Sequence, residues 1–469
     1  MNYKDFFSPP AGGKKITMMG LGILGRGVNI AKFLAECGTE LTITDLKTKE
    51  QLASSLKILT PYKNIKYVLG RHDPVDFRDK DMVIKAAGVP LDSPYIAEAR
   101  KNNILVEMDA SLFTKLAKNV VIIGITGTRG KSTVTHLIYV ILKESFKNSK
   151  RKVFLGGNVK GLATLPLLKK VKSKDIVVME LDSWQLQGFG DARISPNIGV
   201  FTTFLPDHQN YYKNDMDKYF SDKANIYRWQ KENDFLVAGE KFFHNIKSFA
   251  KNAGAKIAQD FKNSSNNGNL KRKAVIAKRS DISKKWKVRL LGEHNLANIA
   301  LAVEAVRKLG VKEAVIKKSV ENFKGLPGRL EFVKEVRGVK YYNDTTATTP
   351  EAVMAALDSL KESKGKIILI GGGADKNLEY AGYAKVVKKF VKTLALFRGL
   401  ASNKIISALG KTKFPVKIFD NMKAAMKFAF ANAKKGDIVL LSPGAASFGV
   451  FKNEFDRGEQ FNKAVKKLK

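Results

Sequence analysis

Ten residues, Gly124-Ile125-Thr126-Gly127-Thr128-Arg129-Gly130-Lys131-Ser132-Thr133, restrict this chain more than any other stretch. An apolar run, Val120–Ile125, stops at glycines, passes Lys131, Ser132 and Thr133, and continues as a helical pattern over Val134–Lys143. That order reads as a strand, a tight loop and a helix N-terminus. Backbone N–H groups and the helix dipole converge at such a point and favour phosphate. A lysine there reaches β- and γ-phosphates, and a Ser or Thr hydroxyl can ligate Mg²⁺. The spacing departs from the plain G-x-x-x-x-G-K-[ST] pattern, because Ile125 stands where its first glycine would be. The alternative is a glycine-rich βα turn without a ligand.

At 469 residues the chain exceeds one core and suggests three domains of roughly 150 residues each. Three segments alternate strands with helices, which argues an α/β chain with parallel sheets. In the first, strands are expected at Lys15–Met19, Leu41–Thr44, Ile65–Leu69, Met82–Ala86 and Ile104–Glu107. The second adds strands at Asp175–Leu181 and Ile198–Phe204, an exposed polar loop at Asn263–Asn269 and a long apolar helix at Leu296–Leu309. It ends near Gly325-Leu326-Pro327-Gly328. The third has strands at Lys366–Ile370, Leu394–Phe397, Val416–Phe419 and Asp437–Leu441, then a basic helix. The domains are therefore expected at 1–117, 118–327 and 328–469. No run of ~20 apolar residues suggests a membrane span, and Met1–Lys15 lacks the apolar segment of a signal peptide. Cys37 is the single cysteine, so no intrachain disulfide forms. A cytoplasmic protein is expected.

The charge is +39, from 83 basic and 44 acidic residues. Such an excess draws anions, nucleic acid among them. The densest basic stretch, Phe261–Leu290, carries ten Lys/Arg against one Asp. Aromatic residues do not interleave with the basic runs as a base-stacking platform needs, so solvated lysine-rich helix faces explain the excess and nucleic acid is not an expected partner.

Gly20-Leu21-Gly22-Ile23-Leu24-Gly25 follows the first strand, and Asp45 closes the second. This fits a dinucleotide fingerprint, with glycines for close phosphate approach and an acid for ribose hydroxyls. With a phosphate loop about 100 residues further on, the first site reads as one for a nucleotide-linked substrate rather than a redox cofactor. Glu180 ends the apolar strand Asp175–Leu181, where a carboxylate is well placed to hold the Mg²⁺ that bridges ATP phosphates. Asp207-His208 is followed fifteen residues after His208 by Lys223. In Gly292-Glu293-His294-Asn295-Leu296-Ala297-Asn298, His294 caps the helix, or Asn295 and Asn298 contact adenine or phosphate.

Together and in this order, these residues resemble the Mur ligase family of peptidoglycan synthesis over nearly the whole chain. The phosphate loop resembles Thr-Gly-Thr-Asn-Gly-Lys. Glu180-Leu181-Asp182-Ser183-Trp184-Gln185-Leu186 is similar to the Glu-Leu-Ser-Ser-Phe-Gln-Leu of the D-glutamate-adding member. Leu326-Pro327-Gly328-Arg329-Leu330-Glu331 resembles its hinge, and Asn343-Asp344-Thr345-Thr346-Ala347-Thr348 its Asn-Asp-Ser-Lys-Ala-Thr. Ser442-Pro443-Gly444-Ala445-Ala446-Ser447, with Phe451-Lys452-Asn453 and Arg457-Gly458, resembles its C-terminal substrate loop.

The resemblance implies a Rossmann-like UDP-binding domain, a central P-loop ATPase-type domain and a Rossmann-like C-terminal domain. It implies an ATP-dependent amide ligase that adds D-glutamate to UDP-N-acetylmuramoyl-L-alanine through an acyl phosphate, acting as a monomer. A folylpolyglutamate-type or another Mur-type ligase is the alternative. Lys131, Glu180, His208 and Lys223 are the implied catalytic set. Two Mg²⁺ ions are implied, held by Ser132 or Thr133, Glu180, His208 and a carbamylated Lys223. ATP falls to Thr126–Thr133, Asn295, Asn298, Arg329 and Asp344. The UDP-linked substrate falls to Gly22, Ile23, Leu24, Asp45, Gly88 and Asn158, and the amino acid to Thr348, Lys376, Ser447 and Phe448. The chain departs from the family at Arg129, Asp182, Thr346, Ala86-Ala87-Gly88 and Asn453-Glu454-Phe455-Asp456-Arg457.

Overall fold

A computed structural model describes residues 3–9, 12–23, 25–249 and 273–468. Leu24, the expected loop Asn263–Asn269 and the first part of the basic stretch lie outside the described residues. Among the described residues, no helix is long and apolar enough to cross a membrane.

Strands β1 (Lys15–Met19), β2 (Glu40–Asp45), β3 (Ile65–Leu69), β4 (Met82–Lys85) and β5 (Leu105–Glu107) form a parallel sheet of order β3-β2-β1-β4-β5. The central strands are buried on both faces, so apolar residues dominate them, with Thr17, Thr42, Thr44 and Lys85 as buried polar members. Strand order reverses between β1 and β4, and sheets of this kind bind ligands beyond the carboxyl ends at such a reversal. Met19 pairs with Thr44 on one side and Lys85 on the other, so Gly20, Asp45 and Lys85 end up on one edge.

The second sheet is also parallel. It holds β6 (Val121–Thr126), β7 (Val153–Gly157), β8 (Ile176–Glu180), β9 (Ile198–Phe201), β10 (Phe235–Gly239) and β11 (Lys273–Ala277) in the order β11-β10-β9-β6-β8-β7. The phosphate loop leaves β6 at the reversal of this sheet, with Glu180 ending the neighbouring strand. The strand expected over Ile198–Phe204 stops at Phe201: Thr202 N–H still bonds Thr126 O at the end of β6, but Thr203 O accepts from Thr128 N–H of the phosphate loop. The helix expected at Leu296–Leu309 runs over Glu293–Arg307, so His294 lies inside its first turn rather than before it. The first two sheets share one apolar core, in which Ile16, Met18 and Leu34 join Phe113, Leu165, Met179, Leu186 and Phe189. Each such buried side chain stabilises by about 1.5–3 kcal/mol.

The third sheet contains β12 (Glu331–Val336), β13 (Val339–Asn343), β14 (Ile367–Gly372), β15 (Val391–Phe397), β16 (Val416–Phe419) and β17 (Ile438–Leu441), ordered β12-β13-β17-β14-β15-β16. All its pairs are parallel except the β12–β13 hairpin. That hairpin turns at Arg337-Gly338, both with positive φ (53° and 74°), the turn whose twist matches the strands. Compactness divides the chain into two units, Met1–Lys284 with Ala297–Val320, and Lys285–Leu296 with Glu321–Lys469.

Candidate functional site

The phosphate loop is held open by two glycines that tolerate no side chain. A Cβ on Gly127 (φ +135°) would stand 2.0 Å from Thr202 Oγ1, and one on Gly130 (φ +89°) 2.3 Å from Asn298 Oδ1. The helix Lys131–Ser145 begins directly after Gly130, which aims its first N–H groups and its positive end at the loop. Thr128 N–H donates to Thr203 O at 2.7 Å and Arg129 N–H to Thr203 Oγ1 at 2.9 Å, fixing the loop against the end of β9. Thr126 is fully buried at the end of β6, and Ser132 and Thr133 occupy the first helical turn.

Lys131 Nζ donates to the carbonyls of Gly127 (2.9 Å) and Thr128 (3.2 Å). Lys223, 1% exposed in the helix Met216–Ala224, donates to the same Gly127 carbonyl at 3.0 Å. Its Nζ lies 4.8 Å from the centre of the Tyr219 ring. Burial pushes the Lys223 ammonium well below the ordinary lysine range, and the Lys131 cation pushes it further; Asp182, Asp207 and Asp222 oppose this. A neutral amine is the form that can react with CO₂.

Glu180 is 7% exposed, and among the described residues its carboxylate makes no hydrogen bond or ion pair. It sits at the end of β8 between Ile125 and Gly157 of the flanking strands. Asp182 accepts from Gln185 N–H at 2.8 Å and Gln185 reaches back, so Asp182 caps the helix Ser183–Asp191. Serine and aspartate are both good caps, which accounts for this departure from the family. His208 packs against Trp184 with ring centres 4.7 Å apart and has positive φ (53°). Burial lowers its pKa, Asp207 raises it, and Lys223 lowers it again. Arg129 ion-pairs with Asp207 at 3.3 Å. Among the described residues, no three His, Cys, Asp or Glu side chains cluster to cage a metal. Mg²⁺ needs no such cage, since it binds through one or two carboxylates, waters and substrate phosphates. The unpartnered, buried Glu180 carboxylate beside the phosphate loop fits that donor set.

Beyond β1, β2 and β4 lies a cavity of about 520 Å³, lined by Gly20–Ile23, Asp45, Lys85, Ala86–Val89 and Gln185 among others. Gly22, Ile23, Asp45 and Gly88 thus share one cavity. Asp45 itself is engaged by the backbone: one carboxylate oxygen accepts from Leu21 and Gly22 N–H, both at 2.9 Å, and the other from Lys47 N–H at 2.9 Å. It shapes the glycine loop. Arg26 crosses from the start of the next helix to the end of β7, donating to Gly157 O (3.1 Å), Asn158 Oδ1 (2.9 Å) and Leu162 O (3.0 Å). Arg26, His72 and Lys85 line this cavity without having been singled out from the sequence. A lone basic residue gives no signal in a chain with 83 of them.

In the second unit, Asp344 accepts from Ser442 Oγ (2.8 Å) and Leu330 N–H (3.0 Å), and burial pushes its pKa up to about 7. Lys376 Nζ donates to Thr348 Oγ1 at 3.1 Å, Ser447 is buried, and Phe448 is exposed. Thr346 hydrogen-bonds Gly328 O through both its N–H and its hydroxyl. Arg457, with no exposed surface, spans Thr345 (2.9 Å to its carbonyl) and Ala445 O (3.3 Å), tying together the two motifs that carry Thr348 and Ser447. Arg329 lies near Asp344 and pulls its pKa down. Asn295 Nδ2 donates to Leu291 O at 2.8 Å.

Three family models match the chain in order: the Mur ligase MurD-like N-terminal domain over residues 14–107, the Mur ligase middle domain over 125–306, and the Mur ligase, glutamate ligase domain over 328–444. The UDP-N-acetylmuramoylalanine--D-glutamate ligase of Borreliella afzelii is 36% identical over 458 residues, covering 96% of this chain and 97% of that protein. The ligase of the same name from a Roseiflexus species is 37% identical, covering 97% and 98%. Among solved structures, the UDP-N-acetylmuramate-alanine ligase of Thermotoga maritima superposes with a TM-score of 0.58 at 20% identity, covering 97% of this chain and 99% of that one.

Proposed function

Because the chain belongs to the Mur ligase family, we propose that it joins D-glutamate to UDP-N-acetylmuramoyl-L-alanine with cleavage of ATP, in peptidoglycan precursor synthesis. The single observation that carries this reading is 36% identity over 96% of the chain to a ligase named for that reaction. The substrate carboxylate takes the γ-phosphoryl group of ATP, ADP leaves, and the amine of D-glutamate then displaces phosphate from the acyl carbon. The enzyme is read as cytoplasmic and monomeric.

In this reading Lys131 neutralises charge on the transferring phosphoryl group, and the stretch Thr126–Thr133 holds the phosphates through the first N–H groups of the helix Lys131–Ser145, since Thr128 and Arg129 N–H are bonded to Thr203. Glu180 and Ser132 or Thr133 would hold Mg²⁺, which neutralises the charge that builds between ATP and the carboxylate. Lys223 would carry CO₂ as a carbamate: its neutral nitrogen bonds the carbon and loses a proton, giving an anion. That conversion turns two amines crowded on one carbonyl into a cation beside an anion, and the anion would join His208 at a second Mg²⁺. Asn298, Asn295, Arg329 and Asp344 are assigned to ATP. Thr348, Lys376, Ser447 and Phe448 are assigned to the incoming amino acid, whose two carboxylates suit a lysine and hydroxyl donors.

The test is phosphate release with ATP, Mg²⁺ and UDP-N-acetylmuramoyl-L-alanine, with D-glutamate, L-glutamate, D-lysine or no amino acid. Release that depends on D-glutamate supports the reading. Release with another amino acid keeps the ligase and moves attention to Thr346 and Glu454. Release stimulated only by nucleic acid overturns it.

A further inference from the structure

Four basic side chains line the cavity beyond β1, β2 and β4: Arg26, Lys47, His72 and Lys85. Three are engaged. Arg26 serves the end of β7, Lys47 lies 3.9 Å from the Asp45 carboxylate, and His72 Nδ1 lies 2.8 Å from Thr44 Oγ1. Lys85 differs. It is 2% exposed, its one hydrogen bond goes to Val89 O at 2.9 Å, and among the described residues no carboxylate comes within ion-pair distance. A buried ammonium without a counter-ion is costly. Burial accordingly lowers its pKa to about 8; Asp191, Asp182 and Asp222 raise it from a distance and Arg100 lowers it.

In the glycine loop opposite, two of the described backbone donors are already used. Leu21 and Gly22 N–H are already bonded to Asp45. An anion entering this cavity therefore finds the Leu21 and Gly22 amides taken and, among the described residues, one buried lysine lacking a counter-charge. The remaining lining, with Met18, Ile30, Ile84 and Met108, suits an uncharged ring rather than a second anion.

We propose that Lys85 binds the diphosphate of the nucleotide-linked substrate and sets the preference of this cavity for a charged nucleotide over a nucleoside. The inference rests on the functional reading above, which supplies a UDP-linked substrate. Lys85 is placed for this by β4, whose pairing with β1 sets it beside Gly20 at the sheet's edge.

The test is calorimetric titration of the full chain with UDP and with uridine. Lys85→Gln keeps a donor for Val89 O and removes the charge; Lys85→Met removes both. Both variants relieve a buried charge and should melt no lower than the wild type. Expected is a roughly 10- to 100-fold loss of UDP affinity in each variant, with uridine affinity unchanged. A variant that keeps the wild-type preference for UDP over uridine overturns the inference. So does an equal loss for both probes, which would mean that Lys85 only shapes the Ala86–Val89 turn. A wild type that binds neither UDP nor the UDP-linked substrate overturns the functional reading, and the inference falls with it.

Discussion

Lys131 and Lys223 point their side-chain nitrogens at one acceptor, the carbonyl oxygen of Gly127, at 2.9 and 3.0 Å. One lysine opens the phosphate helix and the other comes from the helix Met216–Ala224, so the fold itself creates the crowding. Two cations there repel each other, and burial together with the Lys131 charge holds the Lys223 ammonium well below the ordinary lysine range.

Lys223→Ala should therefore abolish most turnover, by on the order of 100-fold or more, as loss of a charge-stabilising group does. Added short carboxylates should restore part of it by standing in for the carbamate. Steady-state rates with and without added acetate check this, and ¹³C NMR under labelled CO₂ should show a carbamate signal in the wild type alone. Full activity in the variant would remove the carbamate role.

Gly130→Ala should lower stability by about 1–2 kcal/mol from left-handed backbone strain alone, with the collision against Asn298 added to it. Asn298→Ala in the same chain should recover the collision part and leave the strain. Denaturant melts of the two variants separate the contributions, and identical midpoints would show that the collision is relieved elsewhere.

Asp182→Ala should cost about 1 kcal/mol through loss of the helix cap, whereas Asp182→Ser should stay within a few tenths of the wild type. Thermal melting compares them. If serine proves as harmful as alanine, the aspartate is needed for its charge near Lys223 rather than for its cap.

Asp344 gives a pH dependence with a definite sign. Its folded-state pKa is raised from 3.8 to about 7, so over that window the folded chain binds a proton that the unfolded chain has lost. This group's contribution to stability therefore falls as pH rises from about 4 to about 7, at up to about 1.4 kcal/mol per pH unit, and is constant above. Asp344→Asn should flatten that part of the profile in urea unfolding between pH 5 and pH 8. An unchanged slope in the variant would assign the dependence to other groups.

Much of the architecture was legible because buried parallel strands are short and mostly apolar, as in Ile176–Glu180 and Ile438–Leu441, and glycines follow several of them. The loop at Gly127–Lys131 and the carboxylate at Glu180 fell in register with those runs. β7 carried little signal, since Val153–Gly157 ends in two glycines and is held by its pairing with β8 rather than by propensity. β12 was hidden for another reason: Phe332, half exposed, breaks the alternation expected of an edge strand. Asp45 shows how a motif fixes a position without fixing a role. Its place at the end of β2 was expected, but its oxygens are taken by backbone N–H groups, and only coordinates reveal that competition.

Gly127 and Gly130 leave no space for even one added carbon. Every glycine codon begins with the same two bases, and changing either one always introduces a side chain or a stop. Neither glycine can therefore be replaced through a single base change without a side chain meeting Thr202 at position 127 or Asn298 at position 130. A compound that gripped this backbone, rather than the side chains around it, would face a target with very few escape routes open to resistance.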